Sequence, residues 1–220
     1  MEQRRILSDW NDGIGRLDRR RLVELFAGAE RGEGNLFSPP AGGDHALNPG
    51  LRPPRALTPA AVLIAIVDRG GDLSVLLTRR TEHLANHAGQ ISFPGGHVEP
   101  GDDTPEDAAL RETEEEIGLD RRHVTLLGRL DDYVTRTGFQ VTPVVAMVDA
   151  PFDLNPDPGE VEQVFEVPLP FLLDPANHQR TSRMFKGHRR FYYTIRWGQH
   201  EIWGATAGMV VNLHDFVVRQ

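Results

Sequence analysis

Three glutamates, Glu112, Glu115 and Glu116, crowd the end of one predicted helix. At about 100° per residue, Glu112 and Glu116 fall almost one above the other, with Glu115 beside them. Like charges at that spacing cost a helix about 0.2–0.5 kcal/mol per pair. Carboxylates near a helix C-terminus also oppose its dipole. Taken alone, the cluster is either a solvated acidic face, with Arg111 pairing to Glu115, or a seat for a hard divalent cation, which takes several carboxylate oxygens. The preceding loop favours the second reading. Gly95-Gly96 let backbone approach a neighbour closely, and the turn bearing Glu99, Asp102 and Asp103 adds acceptors. Carboxylates beside a glycine loop suit metal-assisted phosphate chemistry.

The helix that must carry these groups has clear ends. Thr104 caps it, Pro105 takes the first helical position, Asp107 stands three after the cap, and Gly118 stops it. Its phase puts Ala108 and Ala109 on the flanks of the glutamate face. Leu110, Thr113 and Ile117 lie opposite, for packing on a sheet. Strands are predicted at Ala60–Val67 and Leu73–Thr78, joined as a hairpin through Asp68–Asp72. A polar loop, His83–Gln90, leads to Ile91-Ser92-Phe93. Further strands are expected at Val124–Leu130 and Phe139–Val148, where Pro143 suggests an edge or a bulge. Val164–Leu173 docks on the sheet, Arg190–Trp197 and Glu201–Trp203 form a late hairpin around Gly198, and Thr206–Val218 is a closing helix. Strands on both sides of a helix, with another helix last, give an α/β sandwich with a mixed sheet.

Residues 1–56 read as an N-terminal arm and a Gly/Pro-rich linker packed on a domain at 57–220. In the arm, Asp18 caps a short helix whose Leu22, Val23, Leu25 and Phe26 face inward, with Gly28 as its stop. The 220 residues suit one domain with additions. A formal charge of −8 speaks against non-specific nucleic-acid binding. The absence of cysteine excludes disulfides, thiolate metal sites and cysteine nucleophiles. No apolar run reaches the length of a membrane span, and the N-terminus lacks a signal-peptide core, so a cytoplasmic protein is expected. Neither a Gly-x-Ser-x-Gly elbow nor a phosphate loop ending in Gly-Lys-Ser/Thr occurs.

The central stretch resembles a Nudix box: Gly96, Asp102, Arg111-Glu112, Glu115-Glu116, Gly118-Leu119. The spacer from Asp102 to Arg111 is one residue longer than in the general box, and Thr113 replaces an aliphatic residue. Both features are similar to the coenzyme A pyrophosphatase-like branch. That branch also carries an upstream element, matched here by Leu76-Leu77-Thr78-Arg79-Arg80, Gly89 and Phe93-Pro94-Gly95-Gly96. Further matches lie in Thr137-Gly138-Phe139 through Thr142-Pro143, Glu160 through Pro168-Leu169, and Glu201 through Thr206. The resemblance spans roughly Leu57 to Val211. Where the branch has a basic residue five positions after the Arg-containing element, this chain has Ala85, followed by Asn86. That departure leaves ADP-ribose or NADH-type substrates as the alternative to coenzyme A, with a non-catalytic Nudix-fold nucleotide sensor as a third reading.

The resemblance implies a Nudix-like α/β/α sandwich with a catalytic loop-helix-loop. It implies hydrolysis of a pyrophosphate bond with Mg²⁺ or Mn²⁺. From coenzyme A the products would be adenosine 3′,5′-bisphosphate and 4′-phosphopantetheine. The expected metal ligands are Glu112, Glu116 and Glu115, with the Gly96 carbonyl. Arg111 orients the glutamates. The general base is a box glutamate or a later-loop carboxylate, with Glu160 the candidate after the Pro156–Pro158 turn and Glu162 its backup. Arg79 and Arg80 are candidates for substrate phosphates, since a guanidinium suits bidentate phosphate contacts, and Gly95 lies in the substrate loop. His83, His87 and His97 read as polar loop residues or substrate contacts, and Trp203 and Phe139 as core rather than adenine-stacking platforms. The partner is a small-molecule nucleotide, with no nucleic acid or membrane, and a homodimer through the arm is compatible with the sequence.

Overall fold

Eleven residues of β2 (Thr58–Asp68) run beside eleven of β8 (Phe139–Asp149) in parallel register, from Thr58 opposite Phe139 to Asp68 opposite Asp149. Both are dominated by Val, Ile and Ala, which suits strands buried on two faces. A computed structural model of the chain describes residues 17–31, 42–48, 50–51, 56–83, 88–185 and 187–219. Around the β2–β8 pair it builds a mixed sheet in the order β1 (Gly42–Gly43), β7 (Tyr133–Val134), β8, β2, β3 (Leu73–Arg80), β4 (Ile91–Ser92). Three more strands complete it: β5 (Gly95–His97) on β2, β6 (Val124–Arg129) on β8 and β9 (Val161–Pro168) on β3. The β2–β3 hairpin turns through Asp68, whose Oδ1 accepts from Gly70 N–H at 3.0 Å and Gly71 N–H at 2.9 Å.

Alternation along β2 makes two cores. Ala61, Leu63, Ala65 and Val67 face α2 (Pro105–Ile117), where Ala108, Ala109 and Ile117 are buried. Alanine on both sides lets that helix lie close to the sheet. Ala60, Ile64 and Ile66 face the other way, toward α1 (Arg19–Arg31) and α4 (Ala205–Arg219), with the short α3 (Leu169–Leu173) beside them. A second, antiparallel sheet covers part of that side, in the order β10 (Gln179–Phe185), β11 (His188–Trp197), β12 (His200–Trp203). The α/β/α layering is that of the sandwich expected from the sequence.

Several local expectations are corrected. Asp18 does cap α1, accepting from Arg21 N–H at 2.9 Å, but Val23 is exposed and Gly28 lies inside the helix. Leu22, Leu25 and Phe26 carry its apolar face, each worth about 1.5–3 kcal/mol when fully buried. Residues 1–16 of the predicted arm are outside the described residues, and so are parts of the linker. Within that linker, β1 pairs with Tyr133-Val134. Pro143 sits at neither an edge nor a bulge of its own strand. It lies where β8 changes partner from β7 to β6, and its carbonyl accepts Leu130 N–H at 3.0 Å. No donor is needed from residue 143 at that break. β10 was not anticipated, because Gln-Arg-Thr-Ser-Arg-Met-Phe shows no polar–apolar alternation and is mostly exposed.

Candidate active site

The glutamates of α2 differ in depth, and their face is not turned away from the sheet as the sequence phase suggested. Ala108, Ala109, Thr113, Glu116 and Ile117 are buried together, so Glu116 lies in the middle of the face turned to the sheet. Leu110, assigned to that face from the sequence, is only partly buried. Glu112 stands at the rim of the face, and the Glu115 side chain is 60% exposed. The helix begins as its residues dictate: Thr104 Oγ1 accepts Asp107 N–H at 3.2 Å, and Gly118 closes it with φ 69°.

Glu116 reaches into a gap in the sheet. β2 pairs with β5 over Ala60–Val62 and with β3 over Ile66–Asp68, so its neighbours part between those stretches. Gly95 N–H donates to Glu116 Oε2 at 3.1 Å, and Arg80, at the end of β3, donates to Oε1 at 3.4 Å. Gly95 must be glycine: its φ is 144°, and a Cβ there would fall 2.3 Å from the Ala61 carbonyl oxygen. Burial pushes the Glu116 carboxyl up to about 7; the Gly95 bond and Arg80 pull the other way, and Glu160 and Glu112 add to the rise. Glu112 lies flat against Gly96, where a Cβ would come within 2.5 Å of its carboxyl group. Its pKa is also raised, first by burial, against the pull of Arg111.

Arg111 has five N–H donors, and each has a protein acceptor. Nε and Nη2 grip Asp102 at 3.0 and 2.9 Å, and Nη2 also donates to the His97 carbonyl at 3.1 Å. Nη1 donates to Glu112 at 3.2 Å and Glu115 at 3.1 Å. Asp102 also accepts Glu99 N–H at 2.8 Å. Arg111, then the Glu99 amide, hold its carboxyl below the usual range. The acidic turn, β5 and the helix are therefore tied at one guanidinium, which leaves Arg111 nothing to offer a substrate. Asp102 serves as the acceptor that fixes Arg111.

Glu160 arrives by a loop that finishes the helix. The last carbonyls of an α-helix lack partners within it. Here Asn155 N–H donates to the Ile117 carbonyl and Asp157 N–H to that of Glu116, both at 2.9 Å. A Cβ on Gly118 would sit 2.9 Å from Asn155 N. Three residues past Asp157, Glu160 Oε2 stands 3.7 Å from Arg80 Nη2. Glu162 goes elsewhere: it pairs with Arg79 at 3.2 Å, and Arg79 also meets Glu82 at 3.7 Å. The structure thus brings together Gly95, Gly96, Glu112, Glu116, Arg80 and Glu160. It leaves Glu115 on the outer side of Arg111, and it engages Arg79 with Glu162 and Glu82.

Among the remaining expectations, His83 Nε2 is 3.5 Å from Thr81 Oγ1, and the His97 ring meets Phe139 edge-on at 5.4 Å. Ala85, Asn86 and His87 are outside the described residues. Trp203 is no core residue; it is 41% exposed and packs edge-on against Tyr192. Phe139 is partly buried against the core on the α1 side. Sequence reading missed the docking of Asn155 and Asp157 on the helix end; the Asn-Pro-Asp-Pro run is the signal for a fixed turn there.

The donor set fits a hard divalent cation. Glu112, Glu116 and Glu160 feel one another's charge, two of them with raised pKa, and all offer oxygen. As they stand, no three histidine or acidic side chains among the described residues are close enough to enclose an ion. Fold and site define a class: an α/β sandwich with a glycine loop, an acidic turn and a carboxylate helix in one unit.

Comparison with known proteins names it. The NUDIX domain family matches residues 57–188. The Nudix hydrolase NudL of Photorhabdus laumondii, described as uncharacterized, is 38% identical over 167 residues, covering 73% of this chain and 88% of its own. Nudix hydrolase 15, mitochondrial, of Arabidopsis thaliana is 38% identical over 159 residues, covering 69% of this chain and 56% of its own. Among solved structures, the M. smegmatis Nudix hydrolase RenU is 25% identical, with a TM-score of 0.44, covering 52% of this chain and 72% of that one. The chain belongs to the Nudix family. It is a Nudix pyrophosphatase acting on a small-molecule substrate, and enzymes of this family generally use divalent metal ions.

Proposed function

We propose that the substrate is coenzyme A or a derivative, cleaved at its pyrophosphate to adenosine 3′,5′-bisphosphate and a 4′-phosphopantetheine species. The observation that carries this is the upstream element, Leu76-Leu77-Thr78-Arg79-Arg80 through Phe93-Pro94-Gly95-Gly96, joined to the long spacer between Asp102 and Arg111. The geometry supports a role for that element in the site, since its Arg80 and Gly95 both reach Glu116.

Glu112 and Glu116 would hold Mg²⁺ or Mn²⁺, with the Gly96 carbonyl beside them and Glu115 at the outer rim. When bound, the cation neutralises pyrophosphate oxygens and lowers the pKa of an attacking water. Arg111 keeps the glutamates in place. Glu160, half exposed on its loop, is the candidate to take the proton of that water, and Arg80 to meet a substrate phosphate. The proposed domain is 57–220, with residues 1–56 as an arm packed on it.

A product screen tests the assignment. Coenzyme A, an acyl derivative, NADH and ADP-ribose are each incubated with the enzyme and Mg²⁺, and the products are resolved by liquid chromatography and mass spectrometry. Adenosine 3′,5′-bisphosphate from coenzyme A as the fastest product is expected. Rapid ADP-ribose or NADH cleavage with no turnover of coenzyme A would replace this substrate with its rival.

A further inference from the structure

Two arginines serve the carboxylates of the site, Arg111 holding Asp102, Glu112 and Glu115 and Arg80 facing Glu116 and Glu160, and they are held very differently. Arg111 makes five bonds of 2.9–3.2 Å and has no donor left. Arg80 makes two long contacts, Nη1 to Glu116 at 3.4 Å and Nη2 to Glu160 at 3.7 Å. Good charge-assisted bonds of this kind are about 2.7–2.9 Å. The side chains are equally accessible, 25% for Arg80 and 24% for Arg111, so the difference lies in their partners and not in solvent.

The position of Arg80 matters more than its looseness. One end of its guanidinium faces a buried carboxylate from α2 and the other an exposed one from the loop before β9. A cation taken up by Glu116 at the oxygen that Arg80 meets would have to displace that guanidinium. This agrees with the failure of any three acidic or histidine side chains among the described residues to close on an ion.

We propose that Arg80 is the internal counter-cation of the site. It neutralises Glu116 and Glu160 until a metal binds, and metal loading displaces it, freeing its five donors for a substrate phosphate. The inference rests on the metal-dependent reading above and adds an order of events to it. Arg80 and the metal compete for Glu116, and displacement of Arg80 also releases Glu160. A protein without Arg80 therefore binds metal more tightly, although it has lost a phosphate ligand.

The test is Mn²⁺ binding to the full-length, metal-free protein, followed by electron paramagnetic resonance, with no substrate present. Arg80→Ala is expected to bind the first Mn²⁺ on the order of tenfold more tightly than wild type, the scale of two partly exposed ion pairs. Arg79→Ala removes the same charge from the neighbouring residue, which pairs with Glu162 and Glu82. It should change the affinity less than about twofold. Arg80→Lys, whose single ammonium lacks the forked reach to both carboxylates, should fall between wild type and Arg80→Ala. This more conservative variant stands in if the alanine variant does not fold. Unchanged or weaker Mn²⁺ binding by the Arg80 variants overturns the proposal, and equal tightening by Arg79→Ala reduces it to a general charge effect and overturns it too. Failure of wild type to bind Mn²⁺ at all is a different result, since it removes the metal-dependent reading itself.

Discussion

Glu116 is a catalytic candidate that works against the fold, and Glu116→Gln measures how strongly. The residue is 5% exposed, and burial moves its carboxyl from an ordinary 4.5 to about 7. The native chain therefore keeps a proton there that the unfolded chain has lost. Stability falls as pH rises from about 4.5 to about 7, and the loss is complete above that window. At about 1.36 kcal/mol per pH unit, the gap corresponds to about 3 kcal/mol. Glutamine preserves the shape, stays neutral at every pH, and its amide oxygen can still accept Gly95 N–H. In EDTA at pH 8, urea denaturation should find the variant about 2–3 kcal/mol more stable than wild type. At pH 4.5 the two should nearly coincide. EDTA is essential, because bound metal would stabilise wild type by mass action. With Mg²⁺, the same variant should lose more than ~10²-fold in kcat. A variant no more stable than wild type at pH 8, or stabilised equally at both pH values, would refute the burial argument.

The two glycines of the loop should fail in different ways. Gly95→Ala drives a Cβ into the Ala61 carbonyl at positive φ, and thermal unfolding should show a loss of about 2–4 kcal/mol. Gly96→Ala meets first the carboxyl end of the Glu112 side chain rather than backbone. It should keep most of its stability, and steady-state kinetics should show a fall of about 10²-fold in kcat as that carboxylate is displaced. Arg111→Lys replaces five donors by three and cannot grip Asp102 in a fork; a stability loss of about 1–2 kcal/mol in urea should accompany a reduced kcat. Glu115→Gln alters an exposed side chain whose described bond is to Arg111, so kcat should fall less than about tenfold, and a larger fall would restore Glu115 to the metal site.

The helix and its ends were readable in advance because they depend on local chemistry. Thr104, Pro105 and Gly118 act within one turn of where they stand. The β2–β3 hairpin was legible for the same reason, through Asp68 and its two glycines. Helix phase also predicted that Glu112 and Glu116 would neighbour each other. It placed both opposite the sheet-packing residues, whereas Glu116 turns to the sheet, since that depends on where Ala61 and Ala65 let the helix settle. The separation of Arg79 from Arg80 was hidden too. Adjacent arginines look alike in sequence, and their partners come from β9 and α2, far along the chain. Pro143 misled because a proline reads as an edge signal, whereas a central strand that changes partners offers it an equivalent place.

The docking of Asn155 and Asp157 on the end of α2 has a consequence for synthesis. Glu160 reaches Arg80 only after that loop has seated and β9 has closed beside β3. A nascent chain that ends before β9 already has the entire acidic helix, yet it lacks the second wall of the cleft. The carboxylate that faces Arg80 from outside the helix is therefore made late, with the strand that pairs along β3.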